Sequence, residues 1–174
     1  ADTWATSYAL ALGAEKTGPY DLIICGKQAV DGDTAQVGPG LAERLGWPYV
    51  SYVKAFNEIG GEEMTVTRLM DDGYDQVSFA LPALITVVKE IGVVRVPSFK
   101  GKMKAKKLKA PVLSAADIGA EEQSCGLAGS PTRVVRVFAP QPRGNRERLE
   151  GDAEEVANKV LSQLAEDKII TVAV

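Results

Sequence analysis

The sequence predicts an α/β fold, with a doubly wound, mostly parallel sheet, an appended antiparallel meander, and a C-terminal arm plus helix. Three observations predict it. Helical and strand-like segments alternate in the first third of the chain, as they do in doubly wound sheets. Glycine turns then separate short strand-like runs, which is typical of hairpins. A proline-containing stretch and an amphipathic helical pattern follow.

The first predicted element is a helix over residues 4–15. Asp2 or Thr3 can cap its N-terminus, because short oxygen-bearing side chains accept hydrogen bonds from the first free amides of a helix. Apolar residues recur at helical spacing along it. We expect the helix to pack on the sheet through the stripe Trp4, Ala5, Tyr8, Ala9 and Leu12.

A strand–loop–helix–strand unit follows this helix. The short apolar run 21–26 (DLIICG) is bounded by turn residues and predicts a buried parallel strand. Residues 27–37 predict a loop, 38–46 a short helix, and 49–55 the next strand.

The antiparallel meander is predicted from two turn signals, Gly60-Gly61 and Asp72-Gly73. Residues 83–88 predict another buried strand after the meander. The predicted strands of the meander are 49–57, 63–70 and 74–80.

The remainder of the chain is less regular. Residues 97–109 predict a basic loop that continues as a helix, and the alternating run 133–138 (RVVRVF) predicts a strand. Residues 139–151 contain prolines and predict an arm without a core. The apolar stripe of 152–166 predicts a final helix.

Composition excludes several classes of function. The longest apolar runs are too short to span a membrane. The chain contains no histidine, which excludes His-based triads and His metal sites, and no residue stands out as a catalytic acid, base or nucleophile. Its two cysteines are not in a CxxC pair, which favours a reducing, cytoplasmic setting. The chain starts without methionine, and we interpret the start as a truncation.

Positive charge is concentrated in residues 91–116. This segment holds Arg95, six lysines and no acidic residue, a charge of +7 in a chain whose net charge is −3. Such asymmetry favours a local partner surface over nucleic-acid binding, although a solvated lysine run stays open. The predicted partner-binding residues are Phe99, Lys100, Lys102, Met103 and Lys104.

The stretch of residues 26–39 (GKQAVDGDTAQVGP) joins the predicted strand to the next helix. Ligands of α/β sheets bind at the carboxyl ends of the strands, and loop amides with a helix N-terminus attract phosphate. It matches neither a Walker loop nor GxGxxG, and Ala35 and Gln36 break an EF-hand pattern. From the residues alone, a nucleotide site and an Asx-rich turn are equally open.

A family resemblance favours the nucleotide site. GKQAxDxDxxQxG after DLxxxG resembles the signature of electron-transfer flavoprotein β subunits. ADTWATSYALA, DDGYDQVSFALPALITVVKE and VRVPSFKGKMKAKK resemble the family's preceding helix, meander and partner-recognition loop. The resemblance implies an electron carrier that is paired with an α subunit and docks an acyl-CoA dehydrogenase or related flavoenzyme.

The resemblance also implies two parts of the chain and a set of binding residues. Residues 1–138 would form the nucleotide-binding domain, without the family's N-terminal strands, and 139–174 an arm and helix that pack on the partner subunit. The implied cofactor-binding residues are Gly26, Lys27, Gln28, Ala29, Val30, Asp31, Gly32, Asp33, Thr34, Ala35, Gln36 and Val37.

The ligand implied by the family is AMP in ordinary members and a second FAD in electron-bifurcating members. Ordinary members tend to carry a bulkier residue where Gly32 stands, and residues 126–138 (GLAGSPTRVVRVF) resemble the bifurcating subgroup. FAD is therefore our expectation, with AMP as the alternative and NAD(H) open as a further partner. The alternative function is a regulatory or structural module that holds AMP without a redox role.

Overall fold

A computed structural model describes residues 1–141 and 148–171 of the chain. Its contacts divide the chain into two compact units, Ala1–Val134 and Val135–Val174.

The first unit contains one mixed five-stranded sheet with the order β1-β5-β2-β3-β4. Strands β1, β5 and β2 are parallel neighbours, whereas β2, β3 and β4 form an antiparallel meander. Parallel and antiparallel pairings are therefore equal in number, so the prediction of a mostly parallel sheet is only partly confirmed. The strands are β1 (Leu22–Gly26), β2 (Tyr49–Ile59), β3 (Glu63–Leu69), β4 (Tyr74–Ala80) and β5 (Ala83–Val87).

Two helices, α1 (Thr3–Thr17) and α2 (Val37–Leu45), pack on the same face of this sheet. Leu84 of β5 joins their core, while its neighbour Ile85 faces the opposite core with the meander, as expected for alternating strand side chains. Because both helices share one face, a doubly wound arrangement stays a prediction.

The buried face of α1 differs from the predicted apolar stripe. Its buried residues are Ala5, Ser7 and Ala11, whereas Trp4 is 62% exposed. Small side chains allow α1 to lie close against α2, where a Cβ atom on Gly40 would already be 3.1 Å from Ser7 Oγ. The helix itself and its Asp2 cap are confirmed, since Asp2 Oδ1 accepts a hydrogen bond from Ala5 N at 3.0 Å.

Strand β1 was predicted to be buried, and that prediction is wrong. Its residues are half-buried or exposed, and Ile24 is 55% exposed. In the described sheet β1 has one strand neighbour, β5, which is itself buried along most of its length. The apolar sequence of an edge strand and that of a central strand are alike, so the pattern did not separate them.

The segment after β5 contains a third helix, α3 (Phe99–Lys107), which confirms that the basic loop continues as a helix. Ser98 caps it by accepting a hydrogen bond from Gly101 N at 3.1 Å. The prediction of a strand over residues 133–138 is wrong: within the described ranges these residues pair with no strand. Val137 is 87% exposed, because an alternating run forms a ladder only where a partner strand is present.

The second unit contains the predicted final helix, α4 (Ala153–Glu166), which is capped by Asp152. Leu161 on its apolar stripe is 50% exposed. Of the predicted arm, residues 142–147 lie outside the described residues. None of the helices found in residues 1–141 and 148–171 combines the length and apolarity that crossing a membrane requires.

Candidate nucleotide-binding site

The predicted binding loop occupies the edge of the sheet where the parallel pairing of β1, β5 and β2 ends. It leaves the carboxyl end of β1 at Gly26 and enters α2 at Val37. The register places Gly26 beside Val87 of β5, and Val87 beside Val53 of β2. This is the edge at which open α/β sheets bind ligands.

A cavity of about 280 Å³ lies within the loop. Eight of the twelve predicted residues line it, together with one residue on each side of the predicted stretch. The lining residues are Cys25, Gly26, Lys27, Gln28, Ala29, Thr34, Ala35, Gln36, Val37 and Gly38. The volume is close to the lower end of the range for ligand pockets, roughly 300–1000 Å³.

The other four predicted residues form the exposed tip of the loop and do not line the cavity. They are Val30, Asp31, Gly32 and Asp33. The two carboxylates organise the loop itself: Asp31 Oδ1 accepts from Gly32 N at 2.8 Å, and Gln28 Nε2 donates to Asp33 Oδ1. Asp33 N also donates to Ala29 O at 3.0 Å, which closes the turn.

The base of the cavity is the N-terminus of α2. Gln36 is the N-cap residue, but its side chain makes no capping hydrogen bond; its Oε1 instead accepts from Thr3 Oγ1 at 2.8 Å. The first amides of α2 therefore have no side-chain acceptor. Free amides and the positive end of the helix dipole together favour a bound anion such as phosphate.

Two residues beside the loop, Tyr52 of β2 and Thr86 of β5, were missed by sequence reasoning. Lys27 Nζ lies 5.2 Å from the centroid of the Tyr52 ring. Tyr52 N donates to Thr86 Oγ1 at 3.1 Å, and Thr86 is buried. In the sequence both residues look like ordinary strand positions, so only the sheet register could reveal their place beside the loop.

Cys25 lies on the cavity wall at the end of β1 and is half-buried. Burial raises the pKa of its thiol, because the thiolate is poorly solvated there. Cys25 is therefore a weak nucleophile near neutral pH.

These features fit the phosphate-containing part of a nucleotide. Loop amides, the uncapped α2 terminus and Lys27 are all donors, which is the donor set that phosphate requires. A Cβ atom on Gly26 would have no neighbour within 4 Å, so open space remains above the loop for the rest of a ligand.

A larger cavity, of about 460 Å³, lies between α1, the end of α2 and the loop 123–131. The Arg44 guanidinium stacks on Trp4, with Cζ 4.3 Å from the ring centroid. Asp2 fixes the loop, since its N donates to Ser130 Oγ at 2.8 Å and its Oδ2 accepts from Thr132 N at 3.0 Å. Hydrogen bonds donated to the Asp2 carboxylate, first by Ala5 N and then by Thr132 N, hold the pKa of this carboxyl group below its ordinary value.

The predicted partner-binding residues lie together on α3. Phe99 is 81% exposed and Met103 is 42% exposed. They are four residues apart and so share one face of the helix. Lys100, Lys102 and Lys104 are exposed around them.

The fold and the loop describe an α/β protein with a candidate anion-binding loop at the carboxyl end of its parallel strands. The family model for the electron transfer flavoprotein domain matches residues 1–118. This match covers more than half of the chain, and the chain belongs to the electron transfer flavoprotein family.

Curated relatives agree with this assignment. CarD, a subunit of the caffeyl-CoA reductase–Etf complex of Acetobacterium woodii, is 43% identical over 98% of this chain and 65% of its own length. The electron transfer flavoprotein subunit beta of Megasphaera elsdenii is 40% identical over 97% of this chain and 66% of its own. Protein FixA of Bradyrhizobium diazoefficiens is 40% identical over 94% of this chain and 59% of its own length. The chain thus spans about two thirds of the length of the relatives it matches.

Proposed function

We propose that this chain is the larger part of an electron-transfer flavoprotein β subunit that binds FAD at the loop 26–37 and carries electrons in a complex with an α subunit. The observation that carries the proposal is the cavity at the carboxyl edge of the sheet, with the uncapped α2 N-terminus as its base. Family membership supports it, because the curated relatives include several β subunits. The bound flavin would supply the redox chemistry, and the chain supplies its position and electrostatics.

The choice of FAD over AMP is supported by the open space at the loop. A Cβ atom on Gly32 would have a single neighbour within 4 Å, Thr34 Cγ2 at 3.9 Å, so small residues leave the loop tip uncrowded. A dinucleotide can then place its phosphates in the cavity and extend beyond it on either side. If FAD occupies this site, we propose that the complex carries out electron bifurcation, with NAD(H) as a further partner.

Cofactor content tests the choice directly. We expect the complete β subunit, purified with its α subunit, to contain two FAD per heterodimer and to show two flavin potentials in a redox titration. One FAD plus one AMP would exclude FAD at this site and leave a β subunit of the ordinary kind. Absence of any nucleotide at the β site would contradict the proposed function itself.

The position of Cys25 provides a second test that does not depend on redox activity. Because Cys25 lines the cavity, we expect a bound nucleotide to protect it from alkylation by iodoacetamide. At an AMP or FAD concentration about ten times Kd, the rate of Cys25 alkylation should fall roughly tenfold, in proportion to the fraction of protein without bound nucleotide. The reaction is followed by mass spectrometry at mildly alkaline pH, because the raised pKa leaves little thiolate near neutrality.

Cys125 is the internal control for this experiment. It is also half-buried, but it does not line the loop cavity. Its alkylation rate should be the same with and without nucleotide. Equal protection of both cysteines would indicate a general stabilisation of the fold, and no protection of Cys25 would place the nucleotide elsewhere.

The partner is proposed to be an acyl-CoA dehydrogenase or a related flavoenzyme that docks on α3. The exposed pair Phe99 and Met103 within a ring of lysines supports this role, since charges steer encounter and an apolar anchor fixes the register. The name of the CarD relative, which refers to a caffeyl-CoA reductase complex, is consistent with a partner that acts on CoA esters. The α4 stripe, including the half-exposed Leu161, is proposed to pack on the α subunit.

A further inference from the structure

Tyr52 has an unusual backbone conformation beside the candidate site. Its φ is 57°, in the left-handed region that aromatic residues rarely occupy. It falls where the pairing of β2 with β5 is irregular, between Val50 and Val53. Such a conformation is energetically unfavourable and persists only where the surroundings hold it.

A buried hydroxyl holds this conformation in place. Thr86 Oγ1 accepts the hydrogen bond from Tyr52 N at 3.1 Å, and Thr86 is 1% exposed. The Tyr49 hydroxyl lies 3.4 Å from the same oxygen. The backbone of β2 at Tyr52, the fourth residue of that strand, is therefore fixed to the end of β5 by a group that belongs to the core.

The result of this arrangement is that the Tyr52 ring lies under the ammonium group of Lys27. The 5.2 Å separation of Nζ from the ring centroid is within cation–π range. Lys27 also lines the loop cavity, so the ring contacts the ammonium group of a residue that belongs to the cavity lining. A lysine otherwise samples many rotamers, and restricting them before a ligand binds reduces the entropy lost on binding.

We propose that Tyr52 is a positioning residue for the nucleotide: its ring holds Lys27 where the ammonium group meets the phosphate of an adenine nucleotide. The proposal rests on the proposed nucleotide-binding function of the loop and extends it to a residue outside the loop. It gives the left-handed backbone of Tyr52 a role, because that backbone carries the ring to Lys27.

A double-mutant cycle tests the proposal, with AMP and, separately, FAD as probes. Calorimetric titration is performed on the complete β subunit, purified with its α subunit and stripped of nucleotide. Tyr52→Phe keeps the ring and should bind within about twofold of wild type. Tyr52→Asn loses the ring but tolerates a positive φ, and it should weaken binding about fivefold. Lys27→Met should weaken binding roughly tenfold or more, because a charge-assisted contact is lost.

The double variant Lys27→Met with Tyr52→Asn should bind no more weakly than Lys27→Met alone, because the ring acts only through the lysine. A purely structural role for Tyr52 would instead weaken both backgrounds equally, and that result would overturn the proposal. So would a Tyr52→Phe variant that binds as weakly as Tyr52→Asn. If wild type binds neither probe, the proposed function of the loop fails, and this inference fails with it. Normal wild-type binding with an unchanged Tyr52→Asn affinity overturns this inference alone.

Discussion

Replacing Gly38 by alanine is expected to destabilise the first unit and to weaken nucleotide binding. Gly38 is the second residue of α2 and is buried against β5. A Cβ atom there would lie 2.6 Å from Thr86 Cγ2, well inside van der Waals contact. Thr86 has little freedom to move, because it is β-branched and its hydroxyl accepts the Tyr52 amide. Either that hydrogen bond breaks or the N-terminus of α2 shifts away from the loop.

Gly38→Ala should lower the free energy of unfolding by about 1–3 kcal/mol, a value typical of overpacking, even though alanine is the better helix former. For a chain of this size it corresponds to a Tm lower by roughly 3–9 °C, measured by differential scanning calorimetry. Gly13→Ala in α1 is the matched control, because a Cβ atom there meets nothing within 4 Å. It should be neutral or stabilising by up to about 1 kcal/mol.

A rescue variant makes the mechanism specific. Thr86→Ser removes the methyl group that the new Cβ would meet and keeps the oxygen that accepts the Tyr52 amide. Combined with Gly38→Ala it should restore most of the lost stability, a non-additive result expected only for groups in contact. If Gly38→Ala is as stable as wild type, or is not rescued, the close contact between α2 and β5 does not limit stability.

The order of secondary structure elements was predictable because turn residues delimit it. Gly46, with a φ of 65°, ends α2 where the sequence predicts, and the strand Tyr74–Ala80 begins directly after the Asp72-Gly73 turn. The burial of β1 and the strand over 133–138 were not predictable, because pairing depends on neighbours that a local pattern does not contain. In α1, the exposed Trp4 shows that close helix contact selected small residues over large apolar ones.

The candidate site was predictable where it is continuous in sequence. The loop 26–37 could be found because a glycine-containing stretch joins a strand to a helix. Tyr52 and Thr86 could not, because they reach the loop only through the parallel register of three strands. Asp31 and Asp33 belong to the continuous stretch, but their carboxylates form hydrogen bonds within the loop, which the sequence alone could not show.

Truncation of the Phe99 side chain is the second change for which we expect a large effect. It should slow electron transfer to the proposed partner and leave the fold and the loop unaffected. Phe99 begins α3, and Ser98, not Phe99, provides the cap of that helix. The Phe99 side chain is 81% exposed, so its loss removes little packing within the chain. An exposed aromatic group beside Met103 and several lysines has the character of an interface anchor.

Phe99→Ala should therefore lower kcat/KM for electron transfer to the proposed acyl-CoA dehydrogenase partner about 30-fold, equivalent to roughly 2 kcal/mol for a hot-spot residue. Bound nucleotide and Tm should be unchanged, because the variant touches neither the loop nor the core. Stopped-flow measurement of flavin reoxidation gives the rate, and Ile59→Ala is the matched control: Ile59 is a 70% exposed apolar residue at the end of β2. Equal rates for Phe99→Ala and wild type would exclude α3 as the docking surface. An equal decrease in kcat/KM for Ile59→Ala would show that exposed apolar side chains in general support docking, and it would contradict a specific role for Phe99.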